Sequence, residues 1–434
     1  MAPIEDLKSA IMDREEELKK KFQTEKIIPR EVQVQFKRLI TSDAALIITG
    51  PRRCGKSILA YMILQEEKIG YVNFDDERLI IKQNELNLVL EALYSLKGDI
   101  EYLIFDEIQN VSGWEIFVSR LLQTKKVIIT GSNARLLSKE LATHLTGRHI
   151  DGILLPFSFR EFILLRGITD DINLTANRVR IRDCFKEYCE EGGFPLVQKI
   201  GRVFLAEVYK DILERDVIQR YSIRYVSVLK DLAHYLISNT AREISFNKLR
   251  EILKIKSVHT IRNYTTFIQN TYLVFLLERF SYKLKDQFRA PRKVYCIDTG
   301  LAQMVSFRLS EDGGRLLENI VAIELFRTVQ NIKKRELYYW KNYQQWEVDF
   351  VIKEENKITH LIQVTDISVK DELAQRETRS LIEASDELRC NNLLVLTRDY
   401  EGQDVIKNKT IQYIPVWKWL LIHKLTSDTD FSTK

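Results

Sequence analysis

Between residues 38 and 165 short apolar runs alternate with stretches of helical spacing: "ALIIT", "YVNFD", "YLIFD" and "VIITG" each hold a block of aliphatic and aromatic residues bounded by polar breaks. Runs of that length without strict apolar–polar alternation predict strands buried on both faces, and the segments between them predict helices, which is the pattern of a parallel sheet. The fold class is α/β. Ahead of this core, the first 35 or so residues read as a charged helix running into a linker at Pro29, with "REEELKKK" as a solvated face. Behind it the pattern is helical, broken by "EEGGFP", and then short helices precede the strand-like "YLVFLLERF" and "KVYCID". A last helix, "LLENIVAIELFRTV", leads into "ELYYW", "EVDFVI", "HLIQVT" and "NLLVLT", a second α/β unit. The chain is thus expected to divide at 1–37, 38–165, 166–222, 223–305 and 306–434.

Composition narrows the classes without choosing among them. With 45% hydrophobic and 29% charged residues over 434 positions, the chain is long enough for two to four domains and shows no sign of disorder. A net charge of +5 is small against 66 basic and 61 acidic residues, so any site for a polyanion must come from local clustering. Five scattered cysteines with no paired CxxC favour neither a disulfide framework nor a zinc site. The N-terminus lacks the apolar segment of a signal peptide, and no apolar run reaches the roughly 18 residues that span a bilayer. A cytoplasmic protein with no membrane partner is expected.

The chemistry concentrates at "GPRRCGKS", which separates an apolar strand from an amphipathic helix. Gly50 and Gly55 permit a tight turn whose backbone N–H groups point inward at phosphate oxygens, just before a helix N-terminus adds its dipole. Pro51, Arg52, Arg53 and Cys54 complete the loop, Lys56 would reach the β- and γ-phosphates, and Ser57 would place its hydroxyl on Mg²⁺. About 50 residues on, "EYLIFDEIQ" ends a strand in two carboxylates. Asp106 would support the metal through its water shell and Glu107 would polarise the attacking water. Ser132 and Asn133 close the next strand, where they could orient that water or sense the γ-phosphate, or form an ordinary polar turn. Arg148 in "HLTGRHI" is placed either as an arginine finger for a neighbouring subunit or as a surface arginine. Cys54, inside the loop, is a candidate for oxidation or alkylation that blocks nucleotide entry.

The ordered set "GPRRCGKS", "NFDDERL", "FDEIQNVSGWE", "ITGSNARLL", "LTGRH", "LLPFSFREF" and "EEGGFP" resembles the AAA+ ATPases whose C-terminal part is an uncharacterised domain. The resemblance continues through "YKDILERDVIQRY", "KVYCIDTGL" and "YYWKNYQQWEVDFVI" and covers the chain from about residue 30. It implies ATP and Mg²⁺ as cofactors and a ring-type homo-oligomer such as a hexamer. It also implies a helical lid at 166–222, a winged-helix segment at 223–305 and a tail similar to PD-(D/E)XK nucleases at 306–434. The lid arginine usual in AAA+ proteins has three candidates, Arg178, Arg180 and Arg182, and is left unassigned.

The residues of 243–280 have helix-turn-helix spacing on their own account. Phe246, Leu249 and Leu253 would face inward on a first helix, Ser257 would cap a second, and Val258, Ile261, Thr265 and Ile268 would form its buried stripe. Arg262, Asn263 and Thr266 would then point outward. A hairpin follows, with Lys283, Lys285, Arg289, Arg292 and Lys293 expected near its tip and only Asp286 to offset them. Such a cluster neutralises phosphates and gains affinity by counterion release, so DNA is the expected partner, through backbone contacts with weak sequence preference.

In the tail, Glu318, Asp349 and Gln363 stand where a PD-(D/E)XK metal site places its acidic and amide ligands, but Thr365 occupies the lysine position. The cation that would stabilise developing charge is missing from the motif, and Lys353 and Lys357 read as an exposed turn. The expected function is an ATPase that couples hydrolysis to remodelling or movement on duplex or branched DNA. A slow nucleotide-dependent switch and an ATP-gated nuclease are the alternatives.

Overall fold

The computed structural model describes residues 4–133, 145, 147–306, 312–331, 334–370 and 375–422. The chain divides into two compact units, one up to Leu155 and one from Pro156 onward.

In the first unit β1 (Ala45–Thr49), β2 (Ile69–Asn73), β3 (Tyr102–Asp106), β4 (Lys126–Gly131) and β5 (His149–Ile153) form a parallel sheet in the order β2-β3-β4-β1-β5. Every residue of β1 is buried, as expected of a strand without polar alternation that is covered on both faces. The chain leaves β1 for the far edge of the sheet and works back to it, so the strand order reverses beside β1, and sheets of this kind bind ligands at the carboxyl ends of the strands at such a point.

The N-terminal helix, Ile4–Thr24, departs from the expected solvated segment. It buries Leu7, Ala10, Ile11 and Leu18 and packs on the helix Leu86–Lys97 and on β2. These residues fall on one stripe at helical spacing, which the dense flanking charge conceals in the sequence. Even within "REEELKKK", Glu15 is buried, held by Lys19 at 2.7 Å and by Lys97.

The second unit is built on one nine-stranded sheet. Its strands are β6 (Arg242–Ile244), β7 (Val274–Arg279), β8 (Arg292–Cys296), β9 (Arg335–Lys341), β10 (Glu347–Glu354), β11 (Lys357–Val364), β12 (Leu393–Thr397), β13 (Gly402–Ile406) and β14 (Lys409–Pro415). They run in the order β13-β14-β12-β11-β10-β9-β7-β8-β6. The antiparallel pair β7–β8 joins the C-terminal strands because β7 runs parallel to β9 through Glu278 and Tyr338. A division at 305/306 therefore crosses a continuous sheet.

A division at 222/223 likewise crosses one core. Phe204, Val208, Leu232, Leu236, Ile261 and Ile268 belong to a single apolar cluster drawn from helices on both sides of it. The helix Phe159–Leu165, started by a capping box between Ser158 and Glu161, also lies in this unit and packs on the helices Thr175–Glu191 and Val416–Ile422. "EEGGFP" is less a break than a docking point. Asp298 accepts from Gly193 N at 2.6 Å and from Leu301 N at 2.9 Å, and a Cβ on Gly193 would come within 2.3 Å of the Phe157 carbonyl oxygen. Among the described residues no helix is long and apolar enough to cross a membrane.

Candidate functional site

The loop 50–57, the candidate phosphate site, forms because two of its residues adopt backbone angles that side chains resist. Gly50 has φ 149° and a Cβ there would sit 1.9 Å from the Leu154 carbonyl oxygen; Gly55 has φ 100° and stands at the N-cap of the helix Lys56–Leu64. Lys56 is 5% exposed, and its ammonium donates to the carbonyls of Gly50 at 3.2 Å and Pro51 at 3.1 Å. Glu107 Oε1 lies 3.9 Å from the same nitrogen. Ser57 is the second residue of the helix, half-buried, while Arg52 reaches Asp75 at 3.7 Å and Arg53 is exposed at φ 65°. Cys54 is wholly buried, its thiol donating to Leu154 O at 3.2 Å. Burial pushes that thiol up, so the reactive-cysteine expectation is corrected: a labile thiol needs exposure and a lowered pKa, and Cys54 has neither.

Asp106 ends β3 with both carboxylate oxygens oriented by hydroxyl donors, Tyr71 at 2.9 Å and Thr130. Glu107 follows in a left-handed conformation at φ 54°, its amide donating to Thr130 O, and Gln109 donates to its carboxylate. Burial raises the Glu107 carboxyl above the usual range, Lys56 opposes that rise and the Asp106 charge adds to it. Ser132 and Asn133 are buried just past the end of β4, which pairs with β1 through Thr49 and Gly131. Arg148 is exposed, and its backbone carbonyl accepts from Ala45 N at the start of β1. It therefore lies at the opposite end of the parallel sheet from its own chain's phosphate loop.

Sequence reasoning did not single out Tyr71, Thr130 or Arg30. Arg30 is 6% exposed and ties the loop's Cys54 carbonyl at 3.1 Å to Leu155 O at 2.7 Å. The two hydroxyls sit in β2 and β4 as ordinary strand residues, and only the sheet order brings them to Asp106.

The second unit holds a different lysine. Lys293 was expected at a hairpin tip beside DNA, but it is 2% exposed. Its ammonium donates to Glu318 at 2.9 Å, Glu347 at 2.6 Å and Asp349 at 2.8 Å. The reason is alternation along β8: Arg292 and Lys293 point to opposite faces, and the face that Lys293 occupies is covered by the helix Gly313–Asn331. Tyr295 donates to Glu318 at 2.7 Å, and Val364 N donates to Asp349 at 3.0 Å. Gln363 stands across β11 from Asp349, one step along the register from the Phe350–Ile362 pair, and Thr365 is buried. Burial, then the charge of Asp349, raises the Glu318 carboxyl to about 7. Burial pulls the Lys293 ammonium down, but Asp349 and Glu318 outweigh it and hold it well above its ordinary value. Among the described residues no group of three or more His, Cys, Asp and Glu side chains is arranged to hold a metal ion.

Residues 42–163 match the AAA domain family, and residues 182–312 and 313–419 match two domains of unknown function, DUF8612 and DUF4143. Over 419 residues the chain is 35% identical to the uncharacterized protein MJ1544 of Methanocaldococcus jannaschii, covering 92% of each. The chain belongs to the MJ1544 family. An uncharacterized protein of Haemophilus influenzae is 28% identical over 411 residues, covering 89% of this chain and 96% of that one. Among solved structures, the replication initiator DnaA bound to AMPPCP and single-stranded DNA aligns with a TM-score of 0.27 and 15% identity over 55% of this chain and 86% of that chain. The parallel sheet of this MJ1544-family chain fits a P-loop core, and the match of residues 42–163 to the AAA domain family supports nucleotide-dependent activity.

The remaining candidates are spread over the second unit. Arg262 is exposed on the helix Val258–Asn270, with its guanidinium 5.4 Å from the Phe246 ring. Lys283, Lys285 and Arg289 are exposed between β7 and β8, whereas Arg292 is half-buried against Glu278 at 2.6 Å. Of the three candidates for a lid arginine, Arg182 is engaged by Asp399 at 2.7 Å, and Arg178 and Arg180 are exposed. The expected exposed turn is shorter than "KEENK": Lys353 lies in β10, half-buried and paired with Glu336, and Lys357 is the exposed first residue of β11.

Proposed function

We propose that this MJ1544-family chain binds ATP with Mg²⁺ in the loop 50–57, hydrolyses it, and couples turnover to remodelling or movement on DNA. The observation that carries the reading is the meeting of Lys56 and Glu107, 3.9 Å apart, past the carboxyl ends of β1 and β3, the two strands that flank β4, beside a glycine-permitted loop. The residues fit the group. A serine hydroxyl at a helix N-terminus and a carboxylate oriented by two hydroxyl donors are the hard oxygen ligands that Mg²⁺ prefers. Ser57 and Asp106 would hold the ion, which when bound neutralises charge on the phosphates.

Lys56 exchanges two neutral carbonyl partners for phosphate oxygens, and charge-assisted bonds of that kind are about twice as strong. Glu107, with a raised proton affinity and a side chain only 17% exposed, takes the proton from the attacking water, and Ser132 or Asn133 registers the γ-phosphate. Arg148, at the far end of its own sheet, completes a neighbour's site in a homo-oligomer, of which a hexameric ring is one form. Arg262, Lys283, Lys285, Arg289 and Arg292 supply backbone contacts to DNA from a winged-helix arrangement of the two helices and the β7–β8 hairpin. The buried carboxylates around Lys293 act as an ion-paired core in a nuclease-like fold that does not cleave, because an ammonium already stands between them.

The test is Glu107→Gln assayed for nucleotide binding and turnover together. ATP affinity is expected to persist while kcat falls by about 10²–10⁴-fold, the range for removing a general base. Unchanged turnover in that variant refutes the assignment.

A further inference from the structure

The segment between β7 and β8 carries more than charge. Its short helix, Leu284–Arg289, buries none of its residues. Tyr282, Leu284 and Phe288 are 71%, 66% and 67% exposed, and Leu284 and Phe288 share a face at a spacing of four. Lys285 and Arg289, one residue further along, share the adjacent face, and Lys283 precedes the helix. Among the described residues these three cations have no ion-pair partner, and Asp286 is the one acid within the helix. The apolar side chains are not on a loose end. Tyr282 rests edge-on against Phe280 at 5.1 Å, Phe280 rests on Tyr338 at 5.5 Å, and Gln287 ties the helix to Glu278 at 3.0 Å.

We infer that this tip is a binding site for unpaired nucleic acid, in which the rings of Tyr282 and Phe288 stack on exposed bases while Lys283, Lys285 and Arg289 hold the flanking phosphates. The inference rests on the DNA reading above and makes it specific. Stacking needs a free base face, which a closed duplex hides inside its base-pair stack, so the rings add nothing on intact duplex and act on single strands, bubbles or branch points. The cations act on any strand, because phosphates are present in all of them. Exposed large apolar side chains set among unpaired cations fit a ligand that is both anionic and flat-faced. Leu284 is placed as a wedge against the neighbouring base step.

Fluorescence anisotropy of the full chain separates these contributions, using single-stranded DNA, single-stranded RNA of the same sequence, duplex DNA and duplex DNA with an unpaired bubble. The wild type should bind the unpaired substrates more tightly than duplex, with the DNA and RNA arms deciding which sugar it accepts. Tyr282→Ala with Phe288→Ala should weaken binding to unpaired strands by about tenfold and leave duplex binding unchanged, since stacking is a local contribution of that order. Lys285→Glu with Arg289→Glu should weaken binding to all four and reduce the salt dependence. Equal affinity of the ring variant and the wild type for unpaired strands overturns the inference but leaves the DNA reading standing. So does a fall in the mass of the free protein on losing the rings, which would mean that a second copy covers them. Absence of binding to every nucleic acid overturns both.

Discussion

Lys56 and Lys293 are both buried, at 5% and 2% exposure, and both lie near carboxylates, yet their hydrogens go to different acceptors. Lys56 donates to two neutral backbone carbonyls and stands 3.9 Å from Glu107, so an anion entering the loop can replace weak partners with strong ones. Lys293 directs its donors to Glu318, Glu347 and Asp349, all within 2.9 Å. An ammonium has three hydrogens, and these are saturated. The difference is therefore not in burial or in the presence of acid, but in whether the charge is already compensated. A lysine bound by neutral carbonyls remains available for chemistry; one enclosed by three carboxyl groups is structural.

That contrast can be broken in a paired experiment. Lys293→Met should lower the unfolding stability of the second unit by about 3–5 kcal/mol, the usual cost of leaving buried partners uncompensated, while ATP affinity is retained. Lys56→Met should do the reverse, with an unchanged urea midpoint and roughly 100-fold weaker nucleotide binding from losing charge-assisted bonds worth about 1.5–3 kcal/mol each. A Lys293→Met protein that unfolds like the wild type would show that the three ion pairs contribute no net stability.

A smaller effect sharpens the nucleotide side. Tyr71→Phe deletes the hydroxyl that orients Asp106 from 2.9 Å, and turnover should fall about 10–100-fold, as for other outer partners of metal-supporting groups. The Mg²⁺ concentration for half-maximal rate should rise with it; a loss of rate with no change in Mg²⁺ dependence would place Tyr71 in packing only.

A last effect concerns pH. Glu318 titrates near 7 in the folded chain against 4.5 for an ordinary glutamate, so the folded state holds a proton that the unfolded state releases. Its contribution is fully present below about pH 4.5 and is lost as pH rises through about 7, with a slope of at most about 1.4 kcal/mol per pH unit. Glu318→Gln should flatten stability across that interval when urea midpoints are measured at several pH values. An unchanged slope would assign the proton to a different member of the cluster.

The glycine-permitted loop 50–57 was legible because all its demands are local. Glycines at φ 149° and 100°, a lysine and a serine in order, and a strand before and a helix after are features of one short stretch. The carboxylates of β3 were legible for the same reason. What could not be read was any contact between residues far apart in the chain whose types are common. Tyr71 and Thr130 meet Asp106 only through the order of three strands, and Arg30 reaches Leu155 across 125 positions. The N-terminal helix misled for a related reason: its apolar stripe is thin, and only the helix and strand waiting beneath it show which face is buried.

The sequence by itself determined the α/β class, the buried parallel strands and the glycine-permitted loop between β1 and its helix, because local periodicity and backbone preference suffice for these. Only the tertiary structure decided the fate of Lys293. One step along β8 moves a side chain from one face of the sheet to the other, and which face meets three carboxylates depends on strands and a helix contributed by residues 313 to 364. Charge in a sequence is a count, whereas its compensation is a distance, and distances between remote residues exist only once the chain has folded.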